Sequence, residues 1–298
     1  MANREYLGSG IQYSPELITH HDPLSAIAEA FKITRTNIEF SSINSNTRSL
    51  MITSSSQGEG KTSIFSNLAI AYAQMGRKVL LVDADLRRPS VHRYFGYINR
   101  RGLTNVLIGA GHYSEFILPT LTENLSILPA GPIPPNPADL LMSQTMTDLL
   151  EELEQVYDLV LIDTAPVGLV TDAAILSTKV GGTIFVVRSG VTNKKMLKRA
   201  VAMLEQVNAR VLGYIMTGID VESEDYTYYY MEYKSEQMNE IPNSRGNRAA
   251  DRRRRKRPAN VVISPEFKAA PLVRRSNMPP PINVTSESNS ETLISEDD

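Results

Sequence analysis

Apolar residues along this chain gather in short unbroken blocks rather than in strict alternation. Leu50-Met51-Ile52, Val79-Leu80-Leu81-Val82 and Leu159-Val160-Leu161-Ile162 are each apolar at consecutive positions. A strand without a polar face is covered on both sides, which is the position of a central strand in a parallel sheet. Blocks of this kind predict strands near 50–54, 78–83, 125–129, 158–163, 182–188 and 210–216. Between them the period changes to that of a helix, near 61–75, 136–155, 170–178 and 193–207. Ahead of the first strand, Leu24, Ile27, Ala28, Phe31 and Ile38 fit one helix face, started by Asp22-Pro23. This alternation predicts an α/β fold in three layers, α/β/α, around a mostly parallel central sheet. Residues 1–22 are polar without a sustained period and are read as a flexible leader.

Candidate chemistry concentrates where these strands end. The first runs into SSSQGEGKTS at 54–63, where Gly58 and Gly60 permit a tight loop before the helix that Lys61 opens. Backbone N–H groups from Gln57 through Glu59 to Thr62 would converge there on phosphate oxygens, helped by the positive end of the helix dipole. Lys61 would reach the β- and γ-phosphates, and the hydroxyl of Thr62, followed by Ser63, would sit on Mg²⁺. Ser55 stands where the strict pattern G-x-x-x-x-G-K-[ST] has its first glycine. The blocks at 79–82 and 159–162 run into Asp83 and Asp85, and into Asp163. Ligands of parallel sheets bind beyond the carboxyl ends of strands, so all three carboxylates arrive on the phosphate side. A lone aspartate after a strand reads as a cap or turn residue; three around one Gly-Lys-Thr point to a nucleoside triphosphate and a divalent cation.

In this order the motifs resemble the bacterial protein-tyrosine kinases that accompany exopolysaccharide and capsule synthesis, over residues 24–233. That family has a D-x-D-x-R motif, here Asp83, Asp85 and Arg87, and a D-x-x-P motif, here Asp163 and Pro166. Its E-x-x-R-x-x-R-T-N helix, which packs subunits into a ring, is matched by Glu29, Arg35, Thr36 and Asn37, with Lys32 at the middle arginine. The segment GPIPPNPADLL at 131–141 matches a family loop and helix beside the active site. The related partitioning and positioning ATPases carry a lysine early in their loop, where this chain has Ser56. The resemblance implies a P-loop fold that binds ATP and Mg²⁺. It implies catalytic roles for Lys61, Asp83, Asp85, Arg87 and Asp163, and a metal shell from Thr62, Asp85 and Asp163. Residues 57–63 would hold the nucleotide, with Thr217 where the family's asparagine meets the adenine; Arg87 or Arg88 would bind the γ-phosphate or an acidic tail. The implied partners are further copies in a ring through the Glu29–Arg35 helix, and a membrane-embedded activator of the polysaccharide co-polymerase type. The implied location is cytoplasmic, peripheral at the inner face of the plasma membrane.

Composition narrows the chemistry further. With no cysteine among 298 residues, disulfides, thiolate metal sites and a cysteine nucleophile are excluded, and the four histidines lack ligand spacing. No segment approaches the roughly 20 apolar residues that span a bilayer, and no secretory signal pattern opens the sequence. With 42% hydrophobic residues, one sizeable core is expected: a leader at 1–22, a kinase domain at 23–222, a tyrosine-rich tail at 223–237 and a disordered extension at 238–298. In the tail, Tyr226, Tyr228, Tyr229, Tyr230 and Tyr233 stand among Glu222, Glu224, Asp225, Glu232 and Glu236, either as phosphoacceptors or as an edge strand. In the extension, Arg252 to Arg257 read RRRRKR, a patch for anionic lipid; a net charge of −2 argues against general polyanion binding, and no specific nucleic acid is expected. Besides an autophosphorylating tyrosine kinase, two readings fit: a partner-stimulated positioning-type switch ATPase, and a nucleotide-binding scaffold of polysaccharide export.

Overall fold

The unbroken apolar blocks form the middle of one sheet. The computed structural model describes residues 12–42, 47–219 and 261–263. In chain order the elements are α1 (Ile18–His21), α2 (Ala26–Ser42), β1 (Ser49–Ser54), α3 (Lys61–Ala73), β2 (Val79–Asp83), α4 (Val91–Tyr94), α5 (Leu103–Leu107), a 3-10 turn (Tyr113–Glu115), β3 (Leu118–Pro119), β4 (Leu125–Leu128), α6 (Pro137–Met142), α7 (Gln144–Val156), β5 (Leu159–Asp163), α8 (Asp172–Ser177), β6 (Gly182–Arg188), α9 (Lys194–Gln206), β7 (Val211–Thr217) and β8 (Val261–Ile263). The strand order is β3-β4-β2-β5-β1-β6-β7-β8. From β4 to β7 every pairing is parallel, and β3 and β8 add antiparallel edges. Among the described residues no helix is long and apolar enough to cross a membrane.

Helices cover both faces, which explains why β1, β2 and β5 lack a polar side. Leu50, Ile52, Val79, Leu81, Leu159 and Leu161 point into one core with Phe31, Phe65 and Leu68. Met51, Leu80, Val82, Val160 and Ile162 point into the other with Leu141, Leu149 and Leu204. Every residue of α3 from Ile64 to Ala73 is buried. Full burial of a Leu or Phe contributes about 1.5–3 kcal/mol, so packing holds this helix, and with it the loop at its N-terminus. The guanidinium of Arg35 fastens α2 to α3 by donating to Ala71 O at 2.7 Å.

The expected leader is packed from residue 12 onward. Tyr13 and Leu17 are buried, and the Tyr13 hydroxyl accepts from the N–H groups of Leu121 and Thr122. Asn67 of α3 grips the same segment, accepting from Thr19 N at 3.0 Å and donating to Glu16 O at 3.0 Å. Tyr13, Leu17 and Ile18 among polar residues set no sustained period, so the pattern missed this strap. The single helix expected over 136–155 is two. Ser143, at φ −55° and ψ 156°, closes α6 and opens α7, with its hydroxyl accepting from Met146 N. The pair Leu118-Pro119 forms an edge strand too short to show a period, where proline is tolerated because one side of the strand is unpaired. Three residues within 238–298, Val261–Ile263, pair with β7.

Candidate active site

Three adjacent parallel strands, β2, β5 and β1, deliver the site. Asp83 stands directly across from Asp163 in the β2–β5 ladder, and Asp163 stands across from Ile52 in β1. The phosphate loop leaves β1 and ends at Gly60, whose φ of +96° falls in the left-handed region that glycine occupies freely. α3 then begins at Lys61 without a side-chain cap, so its first N–H groups remain available to an anion. The loop after β5 is pinned to β1: Thr53 Oγ1 donates to Ala165 O and accepts from Val167 N, and Thr164 Oγ1 donates to Ile52 O. Gly168 is obligatory in this loop, because a Cβ there would lie 2.3 Å from Ser55 O.

The carboxylates are buried together. Thr62 Oγ1 donates to Asp163 Oδ2 at 2.5 Å and lies 2.9 Å from Ser90 Oγ. Asp83 Oδ2 accepts from the N–H groups of Ser90 and Val91, at 2.9 and 3.0 Å. Burial pushes the Asp83 carboxyl well above the usual carboxylate range, and the Asp163 charge on the next strand adds to it. Burial likewise pushes Asp163 up to about 7, against the pull of Lys61 and of the Thr62 hydroxyl. Oδ1 of Asp83 and Oδ1 of Asp163 are both buried without a hydrogen-bond partner among the described residues. Two unsatisfied buried carboxylate oxygens beside a threonine hydroxyl suit a hard divalent cation with oxygen ligands, such as Mg²⁺. Asp85 is half-buried next to them and accepts from Arg88 N at 2.9 Å.

Lys61, Thr62, Asp83, Asp85 and Asp163 therefore meet at one end of the sheet. Arg87 is held differently from the sequence-based expectation: it forks onto the fully buried Asp172 of α8 at 2.7 and 2.9 Å, so its charge is already matched. Thr217, expected beside the adenine, is buried and donates to Glu59 O at 3.0 Å, bracing the loop from the end of β7. Arg88 Nη1 donates to Gln57 Oε1 and Arg188 Nη1 to Gly58 O, both at the outer face of the loop. In α2, Glu29 pairs with Lys32 at 3.1 Å, and Thr36 Oγ1 donates to Lys32 O. The tyrosines Tyr226, Tyr228, Tyr229, Tyr230 and Tyr233, and Arg252 to Arg257, lie outside the described residues.

Sequence reasoning missed the side chain of Glu59. It is 1% exposed, with its carboxylate taken up by hydrogen bonds. It accepts from Ser55 Oγ at 3.0 Å, from Ser56 N at 3.0 Å and from Thr192 Oγ1 at 2.5 Å. A hydroxyl at position 55 thus has a job that a glycine could not do, which accounts for the departure from the strict loop pattern. Asp172 was missed as well, because an acid in the first turn of a helix reads as a dipole partner rather than a buried ion.

Comparison with known proteins adds descent to this geometry. A family model described as an AAA domain matches residues 47–210. The tyrosine-protein kinase YwqD of Bacillus subtilis (strain 168) is 41% identical over 230 residues, covering 77% of this chain and 96% of the relative. Among solved structures, the chimerical protein CapA2B2 is 41% identical with a TM-score of 0.66, covering 69% of this chain and 91% of that one. The kinase domain of the Escherichia coli tyrosine kinase ETK is 32% identical with a TM-score of 0.67, covering 72% and 85% respectively. With the phosphate loop, the paired strand-end aspartates and these relatives in one chain, the protein belongs to the bacterial protein-tyrosine kinase family.

Proposed function

We propose that the chain uses ATP and Mg²⁺ to phosphorylate tyrosines of its own kind, the cluster Tyr226, Tyr228, Tyr229, Tyr230 and Tyr233 of a neighbouring copy, and so regulates exopolysaccharide or capsule synthesis or export. The observation that carries this reading is the buried Asp83–Asp163 pair, with an unpartnered oxygen on each, beside Lys61 and Thr62. Lys61 and the N–H groups of residues 57–63 position the phosphates. Thr62 and Asp163, with Asp85, would hold Mg²⁺, which when bound supplies positive charge against the departing phosphoryl group. Asp83 or Asp85 would orient the incoming phenol and take its proton, and of the two Asp85 is the half-buried one. Arg87 acts from a distance, by fixing the turn after Asp85 to Asp172. Thr217 serves as the loop brace under the base.

Docking in trans is supported by α2, which carries the solvent-exposed Glu29 and Phe40 and is preceded by the exposed Leu24, a surface suited to another copy in a ring. A membrane-embedded co-polymerase-type partner would activate the ring, with the chain peripheral at the inner membrane face and Arg252 to Arg257 on anionic lipid. The test is incubation of the purified chain with ATP and Mg²⁺ beside a Lys61→Met control, with phosphotyrosine mapped by mass spectrometry. Phosphate on the cluster that is lost in the control is the expected result. ATP hydrolysis with unmodified tyrosines would instead make the chain a switch ATPase.

A further inference from the structure

Beside the carboxylates lies a cleft of ≈ 560 Å³, lined by Arg87, Arg88, Ser90, Arg93, Pro132 and Ile133 among others, to which neither Lys61 nor the phosphate loop contributes. Its charge is unbalanced. Arg87 is matched by Asp172, but among the described residues no carboxylate forms an ion pair with Arg88 or Arg93. Arg88 has only the neutral Gln57 amide as a side-chain partner. Two unmatched guanidinium groups over a concave surface focus a positive potential, and their planar forks match phosphate oxygens. The cleft also offers Pro132 and an Ile133 that is 64% exposed, an apolar seat for a flat ring. A phosphate carried on an aromatic ring satisfies both features at once, whereas a bare carboxylate leaves the apolar seat unused.

Position ties this cleft to the reacting groups. Ser90 lines it, and the same residue meets Thr62 through its hydroxyl and Asp83 through its N–H. A peptide seated here therefore has its neighbouring residues at the carboxylates, since residues two apart on one face of an extended chain are roughly 7 Å apart. The segment at 222–236 has this spacing, with five tyrosines inside eight residues. We propose that the cleft is a phosphotyrosine subsite: it holds an already modified tyrosine of segment 222–236 from a second copy while a nearby tyrosine is presented for transfer. This rests on the kinase reading and adds an order to it. The first phosphate is added slowly, and later ones are helped by the first. When several are present, one dianion occupies the two arginines, and the others face Asp83, Asp85 and Asp163, which repel them.

The experiment uses the purified full chain without ATP and two synthetic peptides of residues 222–236, one unmodified and one carrying phosphate on Tyr233. Binding is read by fluorescence anisotropy. The expected result is that the phosphopeptide binds about tenfold tighter or better, the scale of a charge-assisted guanidinium–phosphate pair. Arg93→Glu should remove that advantage and Arg93→Gln reduce it, while affinity for a fluorescent ATP analogue stays unchanged and shows the fold intact. Equal binding of the two peptides would overturn the assignment, as would an advantage that survives Arg93→Glu. Displacement of the phosphopeptide by inorganic phosphate at matching concentration would overturn the peptide as occupant. Synthetic peptides separate this from the kinase reading: a chain that modifies no tyrosine can still show the preference, and an active kinase can lack it.

Discussion

Replacing Asp163 with asparagine should yield a protein that is more stable and has no kinase activity. In the folded chain burial raises the Asp163 carboxyl to about 7, against 3.8 for a free aspartate. The sign follows from proton linkage. Below pH 3.8 the group is protonated in both states and costs nothing. Between 3.8 and 7 the folded state holds a proton that the unfolded state has released, so stability falls as pH rises. Above 7 the loss is complete, and the shift amounts to about 4 kcal/mol at pH 8. Asparagine carries no charge and still accepts from the Thr62 hydroxyl, but its NH₂ group occupies the place of an oxygen with no partner, which costs about 1–2 kcal/mol. The net expectation is a gain of about 2–3 kcal/mol at pH 8, raising Tm by about 5–10 °C, and almost none at pH 5. Thermal unfolding of both proteins from pH 5 to 8, without nucleotide, reads this directly. A variant that melts at or below the parent at pH 8, or a difference that does not grow with pH, would refute the reasoning. Adding Mg²⁺ and ATP should reverse the order, because only the parent can bring an ionised carboxylate to the metal.

Other substitutions probe the braces around the site. Glu59→Ala strands the Ser56 N–H and the hydroxyls of Ser55 and Thr192, so it should lower stability by about 2–3 kcal/mol and weaken nucleotide binding, read by denaturant melts and a fluorescent ATP analogue. Arg87→Met leaves Asp172 buried and unpaired, costing about 3–5 kcal/mol, and a second change, Asp172→Asn, should recover most of that stability; a double mutant no better than Arg87→Met would show that the pair does not hold the turn. Gly168→Ala forces a Cβ against Ser55 O, and should weaken nucleotide binding more than it lowers Tm, since both segments belong to the site. A Tm loss without any change in nucleotide affinity would place the strain elsewhere.

The parallel sheet was legible because a strand covered on both faces leaves an unmistakable mark: β2 and β5 are apolar at every position before a terminal aspartate, and β1 carries the unbroken block Leu50-Met51-Ile52. The pairing of the strand-end carboxylates followed from that, since register alone brings Asp83 beside Asp163. The packed segment from residue 12 did not show itself, because its hold on the body comes from the Tyr13 hydroxyl and from backbone bonds to Asn67, which leave no period. The break at Ser143 is a matter of one ψ angle inside a sequence whose apolar spacing continues across it. Glu59 was read only for its N–H because the loop pattern treats that position as variable, and nothing local announces that a carboxylate turns inward to meet Thr192, 133 residues away.

Those long-range partners change what the phosphate loop is physically. Its apex is attached to the end of β7 by Thr217, to the end of β6 by Arg188 and the loop after it by Thr192, and to the turn after β2 by Arg88. Each attachment comes from a different strand, so the loop is held in its anion-binding shape by the sheet as a whole rather than by its own sequence. A ligand that pulls on the loop therefore pulls on three strand ends, one of which continues through residue 219 toward the tyrosine segment. By the same linkage, binding of nucleotide should protect the backbone of residues 188–192 and 211–219 from hydrogen exchange as strongly as it protects 57–63. Protection confined to 57–63 would mean that the braces hold the loop without transmitting its occupancy.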